Sequence, residues 1–408
     1  MTTEAQDLKA PREPRIVFVD TVEALDAATA VLSADTGWFA VDAERASGFK
    51  YSSRAYLIQI KRTNTPIFLI DPAALAPVLA DAPNVFRELA KVMQTGGWIL
   101  HAASQDLPCL SELGISCPEL FDTELGSRIA GFDRVGLGAV CERLLGPRLA
   151  KEHSAVDWSI RPLHEDWLNY AALDVDVLHD IRDALRENLI EQNKLQIAEL
   201  EFAHLVGFKP RAPKADKWRG VSGIHTIREQ RTLAIIRELW TRREHVAERV
   251  DVSPGRLIPD SSIVAAAKAN PRSRSELASL KDFNGRGSRT FIDEWWDAIQ
   301  IGATTRDLPP VRAESTGIPN HKSWANRFPE ADARLRAVRT AIDAVAKRMN
   351  LPVENLVSPD PVRQLCFDPI GTDNESVRRQ LLSLGVRAWQ IEAITEAITD
   401  VLVGLSQE

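Results

Sequence analysis

No stretch of this 408-residue chain approaches the roughly 20 consecutive apolar residues a membrane helix requires, so a spanning protein is not expected. Cysteine is sparse: Cys109, Cys117, Cys141 and Cys366 lie without Cys-x-x-Cys spacing. That excludes a disulfide scaffold or a zinc ribbon and leaves free thiols, as in a reducing cytoplasm. The opening Met1-Thr-Thr-Glu-Ala-Gln-Asp7 has neither a basic nor an apolar stretch, so no secretory signal is expected. Basic residues are not in excess, since 50 Lys and Arg against 57 Asp and Glu give a net charge of −7. A polybasic surface is therefore excluded for the whole chain, although local patches set the field a ligand meets. No long heptad repeat or broad apolar interface stands out, and a monomer is expected.

What is present points to two or three domains, the prior for this length. Residues 1–14 read as a polar, flexible lead-in. Residues 16–19, 39–44, 56–61, 67–70 and 98–100 read as strands by apolar content and bounding turn residues, with a short one at 121–122. Helical periodicity dominates from Ser104, and 163–206 reads as long helices. Strands first and helices after give an α/β layer architecture. Lys209-Pro-Arg-Ala-Pro-Lys-Ala-Asp216 reads as a linker, and 217–300 as wholly helical. A second break over 304–319 precedes a final helical region, 320–408.

Three short stretches carry the chemistry. Val41-Asp42-Ala43-Glu44 closes an apolar run that begins at Trp38, and strand alternation turns Asp42 and Glu44 to one side. His101-Ala-Ala-Ser-Gln-Asp106 follows a second short strand and puts Asp106 in the first turn of a helix, where a carboxylate also complements the dipole. In Asn169-Tyr170-Ala-Ala-Leu-Asp174, Tyr170 and Asp174 stand four apart in a helical pattern and share a face. Each stretch has a bland alternative: a solvated strand end, a dipole partner, two neighbours on a helix. Their order and placement bring four carboxylates toward one point, which is unfavourable unless cations neutralise them. The pattern points to a site for two divalent metals, the equipment for cutting phosphodiester bonds.

These stretches, with Tyr56-Leu-Ile-Gln-Ile60, Leu69-Ile-Asp-Pro72, Phe121-Asp-Thr123 and Asp157-Trp158-Ser-Ile-Arg-Pro-Leu163, resemble the ribonuclease D family of DEDD 3′→5′ exonucleases, in its tyrosine-containing branch. The resemblance covers the first half of the chain and implies a ribonuclease H-like α/β exonuclease domain over 15–208. It implies that Asp42, Glu44, Asp106 and Asp174 hold two Mg²⁺ or Mn²⁺ ions. Asp42 would bridge them, Glu44 and Asp174 would complete one site, and Asp106 would support the second. Tyr170 would orient or help deprotonate the attacking water. The expected substrate is the 3′ end of single-stranded RNA, transfer RNA precursors among the candidates, and the product a nucleoside 5′-monophosphate. A DNA exonuclease with the same site and a non-cutting nucleic-acid adaptor are the alternatives. Gln105 stands where the family often carries Glu, outside the core acids. Lys151, Trp158 and Arg161 are candidates for the wall that meets terminal phosphates, with Trp158 equally a core anchor. Gln59, in a buried strand, is expected to bond neighbouring backbone, and His101 to be a satisfied buried histidine rather than a ligand.

Residues 217–300 resemble the helicase-and-RNase-D C-terminal (HRDC) domain through Arg231-Thr-Leu-Ala-Ile-Ile-Arg-Glu-Leu-Trp240 and Arg256-Leu-Ile-Pro-Asp260. They hold 15 Lys and Arg against 11 Asp and Glu, the reverse of the whole chain. Lys281, Arg286 and Arg289 bracket Gly285–Gly287 and are candidate phosphate contacts. The two glycines are expected to serve turn geometry, and at least one of Trp295-Trp296 to pack in the core. Val246-Ala-Glu-Arg-Val-Asp-Val-Ser-Pro-Gly-Arg-Leu257 lies over Val345-Ala-Lys-Arg-Met-Asn-Leu-Pro-Val-Glu-Asn-Leu356, so 320–408 is expected to be a second, diverged HRDC-like copy.

Overall fold

Short apolar runs bounded by turn residues become strands, because each can bury two faces within a few residues. The computed structural model describes residues 7–81, 84–149, 156–209, 216–312 and 317–406. Its strands are β1 (Asp7–Leu8), β2 (Ile16–Val19), β3 (Phe39–Arg45), β4 (Ala55–Arg62), β5 (Ile67–Ile70), β6 (Trp98–Leu100), β7 (Leu120–Asp122) and β8 (Arg148–Leu149). Six of them form one sheet in the order β2-β5-β4-β3-β6-β7. The β3–β4 and β4–β5 pairs are antiparallel and the other neighbours parallel. All six expected strands are present with ends within one residue. The flexible lead-in expected over 1–14 is corrected in its described part: β1 pairs with β8, and the backbone N–H of Arg12 donates to Asp176.

Strand alternation sorts the side chains of this sheet. On one face Val41, Ala43, Ile58, Ile60 and Ile70 pack against Leu25 and Leu32 of helix Val22–Ala34 and Ile181 and Leu185 of helix Leu178–Glu191. On the other, Ala40, Leu57, Leu69 and Ile99 meet Ala171, Ala172 and Val175 of helix Glu165–Asp176. Each large aliphatic buried this way contributes about 1.5–3 kcal/mol. The small Ala171 and Ala172 let the helix lie close to the strands. Asp42 and Glu44 belong to this second face, beneath that helix.

The remaining chain is helical, with two further cores. Helix Gln230–Val250 buries Leu233, Ile236 and Leu239 against Trp295 and Ile299 of helix Ile292–Thr304. Their crossing is close at Gly302, where a Cβ would come within 2.5 Å of the Ile235 Cα. Helix Pro329–Met349 packs Leu335, Val338 and Ile342 with Ile394 and Ile398 of helix Ala388–Ser406. Each 21-residue helix ends on a left-handed residue, Asp251 (φ 46°) or Asn350 (φ 50°). Both corners rest on the sheet domain. The Asp251 carboxylate accepts from Ser52 N–H at 3.0 Å and Tyr56 Oη at 3.3 Å, and Arg256 donates to the Gly48 carbonyl at 2.7 Å. The Asn350 carbonyl accepts from Lys194 Nζ at 2.9 Å, while Glu201 accepts from Arg387 and Trp389. Among the described residues no helix is long and apolar enough to cross a membrane.

Candidate active site

Three elements deliver the acids. β3 carries Asp42 and Glu44, helix Glu165–Asp176 carries Tyr170 and Asp174 one turn apart, and the turn after β6 carries Asp106. One carboxylate oxygen from each of Asp42, Glu44 and Asp174 lies within 4.8 Å of the other two. A divalent cation with hard oxygen ligands fits between groups at that spacing. Asp106 stands outside this trio, 5% exposed, at the start of helix Leu107–Glu112. Its side chain makes no capping hydrogen bond there, which leaves its oxygens to the site rather than to the helix end.

The turn that presents Asp106 is braced by a residue whose role the sequence reading missed. Ala102 takes a left-handed φ of 61°, costly for a non-glycine residue. The N–H groups of Ala102 and Ala103 donate to Asp122 at 3.1 and 2.8 Å, and the same carboxylate caps helix Thr123–Ile129 through Glu124 and Leu125. Thr123 adds a bond to His101 Nδ1 at 2.8 Å and one to the Leu100 carbonyl. The available signal was an N-cap residue type directly before a helical run. His101 is hydrogen-bonded, as expected, and burial pushes its imidazole down to about 4, so it stays neutral.

Electrostatics separate this cluster from ordinary surface acids. Burial pushes the Asp42 carboxyl up to about 6. Glu44 and Asp174 are held well above the usual carboxylate range by burial first and then by neighbouring acids. Asp106 follows the same pattern, with burial and the Asp42 charge as its leading causes. Among the described residues no Lys or Arg ion-pairs with Asp42, Glu44 or Asp174. The nearby cation is Arg45, whose guanidinium stands 3.8 Å from Asp106. Tyr170, half-buried, stands one turn from Asp174 on the same helix, and burial together with the surrounding acids raises its phenol above the ordinary value. Such a cluster holds protons when no cation is bound and is suited to exchange them for divalent metal.

Several other candidates have different settings. Trp158 is 1% exposed and meets Trp167 edge-on at 5.7 Å, so it anchors the core rather than lining a substrate wall. Arg161 grips buried Asp71 in a two-point contact of 2.6 and 2.7 Å and donates to the carbonyls of Tyr56, Trp158 and Ile160. Its donors are committed to the fold, which corrects the expectation of a phosphate clamp. Lys151 lies outside the described residues. Lys281, Arg286 and Arg289 are exposed on the middle helical region. Gly287 does not serve a turn: a Cβ there would come within 2.5 Å of the Leu257 carbonyl oxygen, so its role is close packing. Trp295 is fully buried and Trp296 is not. Gln59 is fully buried, and neither polar atom of its side chain has a partner among the described residues, against the expectation of a backbone bond.

Comparison with known proteins gives three profile matches. A 3′-5′ exonuclease profile matches residues 16–190, the HRDC domain matches 232–299, and a 3′ to 5′ exonuclease C-terminal domain matches 317–402. The final region thus matches a differently described domain from the middle one. Ribonuclease D of Gluconacetobacter diazotrophicus is 30% identical over 367 residues, covering 87% of this chain and 87% of the relative. Ribonuclease D of Acidiphilium cryptum is 27% identical over 404 residues, covering 94% and 98%. A crystal structure of a protein from Bifidobacterium adolescentis superposes with a TM-score of 0.89 at 36% identity, covering 98% of this chain and all of that one. Escherichia coli RNase D superposes with a TM-score of 0.65 at 23% identity over 95% of this chain and 98% of its own, a likeness of fold.

Proposed function

This chain belongs to the ribonuclease D family, and from that premise we propose that it is a metal-dependent 3′→5′ exoribonuclease releasing nucleoside 5′-monophosphates from RNA ends. The observation that carries the reading is the half-buried trio Asp42, Glu44 and Asp174, oxygens within 4.8 Å, without a Lys or Arg partner among the described residues. Hard oxygen donors with uncompensated charge fit divalent cations. When bound, a pair of such ions, Mg²⁺ or Mn²⁺, activates the attacking water and offsets charge on the leaving 3′ oxygen. Asp42, Glu44 and Asp174 would hold the ions, with Asp106 contributing from its braced turn. The Tyr170 hydroxyl, one helical turn from Asp174, would orient the water for in-line attack. Exclusion of solvent around these groups strengthens each electrostatic contact.

The helical regions supply reach. Lys281, Arg286 and Arg289 are read as phosphate contacts of the HRDC domain, which gather single-stranded RNA toward the site. The final region is read as a second, diverged HRDC-like module on its shared order of elements: a 21-residue helix, a left-handed end, then a four-residue helix. The protein acts as a cytoplasmic monomer, with transfer RNA precursors among its substrates.

The test uses end-labelled single-stranded RNA and matched DNA with free 3′ hydroxyls, in Mg²⁺, in Mn²⁺ and in chelator, beside Asp174→Asn. Stepwise shortening of RNA that chelator and the variant both abolish is the expected result. Faster loss of DNA would transfer the assignment to a DNA exonuclease, and binding without shortening would make the protein an adaptor.

A further inference from the structure

Gln59 is one of several residues with buried polar side-chain atoms that lack a partner among the described residues, and it lies against the acid cluster. It lies at the centre of β4, directly opposite Asp42 of β3 on one side and Leu69 of β5 on the other. Residues directly opposite on antiparallel strands point to the same face with Cβ atoms about 5 Å apart. That face bears Asp42 and Glu44 and is covered by helix Glu165–Asp176, which carries Asp174. Gln59 is 0% exposed, and both its amide nitrogen and its amide oxygen lack a hydrogen-bond partner.

Its neighbours along and across the sheet do not serve it. Leu57 and Leu69 are apolar, and the Lys61 ammonium, two residues along the strand, is taken by Asp176 at 2.6 Å. Asp42 is the polar side chain beside it in register. Leaving a buried amide unpaired costs about 1–3 kcal/mol, and a leucine at this position would match the surrounding core. Glutamine instead offers two N–H donors and no charge, so it can hold a carboxylate without competing with a cation for it.

We propose that Gln59 is a positioning residue for the metal centre: its amide, unpaired in this structure, donates to the outer oxygen of the Asp42 carboxylate once that group turns its other oxygen toward the ions. Outer hydrogen bonds of this kind orient ligating carboxylates, and their loss weakens metal affinity about 10- to 100-fold. The inference rests on the metal-site reading above.

The experiment is calorimetric titration of Mn²⁺ into the full-length metal-free protein as wild type, Gln59→Leu, Gln59→Asn and Asp42→Asn, with thermal melting of each metal-free sample and of each at saturating Mn²⁺. The expected result is Mn²⁺ affinity down about 10- to 100-fold in Gln59→Leu, with a smaller loss in Gln59→Asn. The metal-free melting temperature of Gln59→Leu should be unchanged or higher, and its turnover on RNA should return toward wild type at high Mn²⁺. Wild-type affinity in Gln59→Leu would overturn the proposal, as would a lowered metal-free melting temperature in both Gln59 variants with affinity intact, which would mark a purely structural residue. Failure of the wild type itself to bind Mn²⁺ would instead defeat the metal-site reading.

Discussion

Asp174, half-buried, and Asp176, buried, stand two residues apart on one helix in opposite electrostatic settings. Asp176 accepts from Lys61 Nζ at 2.6 Å and from the Arg12 backbone N–H at 2.7 Å. Burial alone would raise its carboxyl, but those hydrogen bonds outweigh burial and hold it below the ordinary value. Asp174 meets Asp42 and Tyr170 instead of a cation, and its carboxyl is raised by burial and by the Asp42 charge. The fold thus demonstrates that it can neutralise a buried acid where it has cations to spare, and leaves one group of acids without them. An acid balanced within the chain is structural, whereas acids left unbalanced await a ligand.

The largest effect expected follows from removing an unbalanced acid. Asp174→Asn should lower exonuclease turnover about a thousandfold or more and abolish the rise in melting temperature that Mn²⁺ gives the wild type. The same variant should melt no lower than wild type when metal-free, because it relieves repulsion in the cluster. Scanning calorimetry with and without Mn²⁺ checks both halves.

Breaking the balanced pair should do the reverse. Lys61→Met leaves Asp176 with Arg12 alone and should cost about 3 kcal/mol of stability, since a buried charge that loses its partner is strongly destabilising. Its Mn²⁺ affinity should remain that of the wild type. Urea unfolding and a Mn²⁺ titration separate the two consequences, and a large change in metal affinity would blur the distinction between the two acids.

Acidity offers a subtler contrast. The Asp42 carboxyl sits at about 6 in the folded protein, against roughly 4 for an unfolded aspartate. A raised carboxyl favours the folded state fully below the unfolded value and loses that contribution as pH rises through the folded one. The metal-free melting temperature of wild type, measured against Asp42→Asn, should therefore fall by a few degrees between pH 4 and 7. Mn²⁺ affinity should rise over the same window, because the ligands must shed protons. A flat difference across that range would contradict the raised value.

The smallest effect belongs to Asp251, a balanced acid at a domain joint. Burial would raise its carboxyl, but bonds from Ser52 and the charge of Arg54 hold it low. Asp251→Ala should cost about 1 kcal/mol, one ordinary hydrogen-bonded contact. It should loosen the middle domain from the loop that follows β3, seen as faster proteolysis within residues 46–54, with single-nucleotide turnover on short RNA unchanged.

The strands were legible because short apolar runs ended at turn residues, and the acids because strand and helix periodicity fixes which side chains share a face. Asp42 with Glu44, and Tyr170 with Asp174, could be placed on common faces from spacing alone. The pairings that reach across the chain were not legible. Nothing local in Asp157-Trp158-Ser-Ile-Arg161 announces that Arg161 will be consumed by Asp71, 90 residues earlier, and a basic residue in a motif therefore read as a phosphate clamp. Asp122 was visible in a motif, but bracing the Asp106 turn depends on the parallel pairing of β6 with β7. The alignment of 246–257 with 345–356 placed Asp251 over Asn350, and both take left-handed backbone and touch the sheet domain. That they do so by different atoms, a carboxylate and a backbone carbonyl, is a property of the surfaces they meet and had no sequence signal.

The central claim is that the unbalanced acids, and not their balanced neighbour, hold the metals. Crystals soaked in Mn²⁺ and measured at the manganese absorption edge test it directly. Two anomalous peaks about 4 Å apart are expected, one beside Asp42, Glu44 and Asp174 and the other between Asp42 and Asp106. Peaks elsewhere, or no peak among Asp42, Glu44 and Asp174 at saturating Mn²⁺, would contradict it.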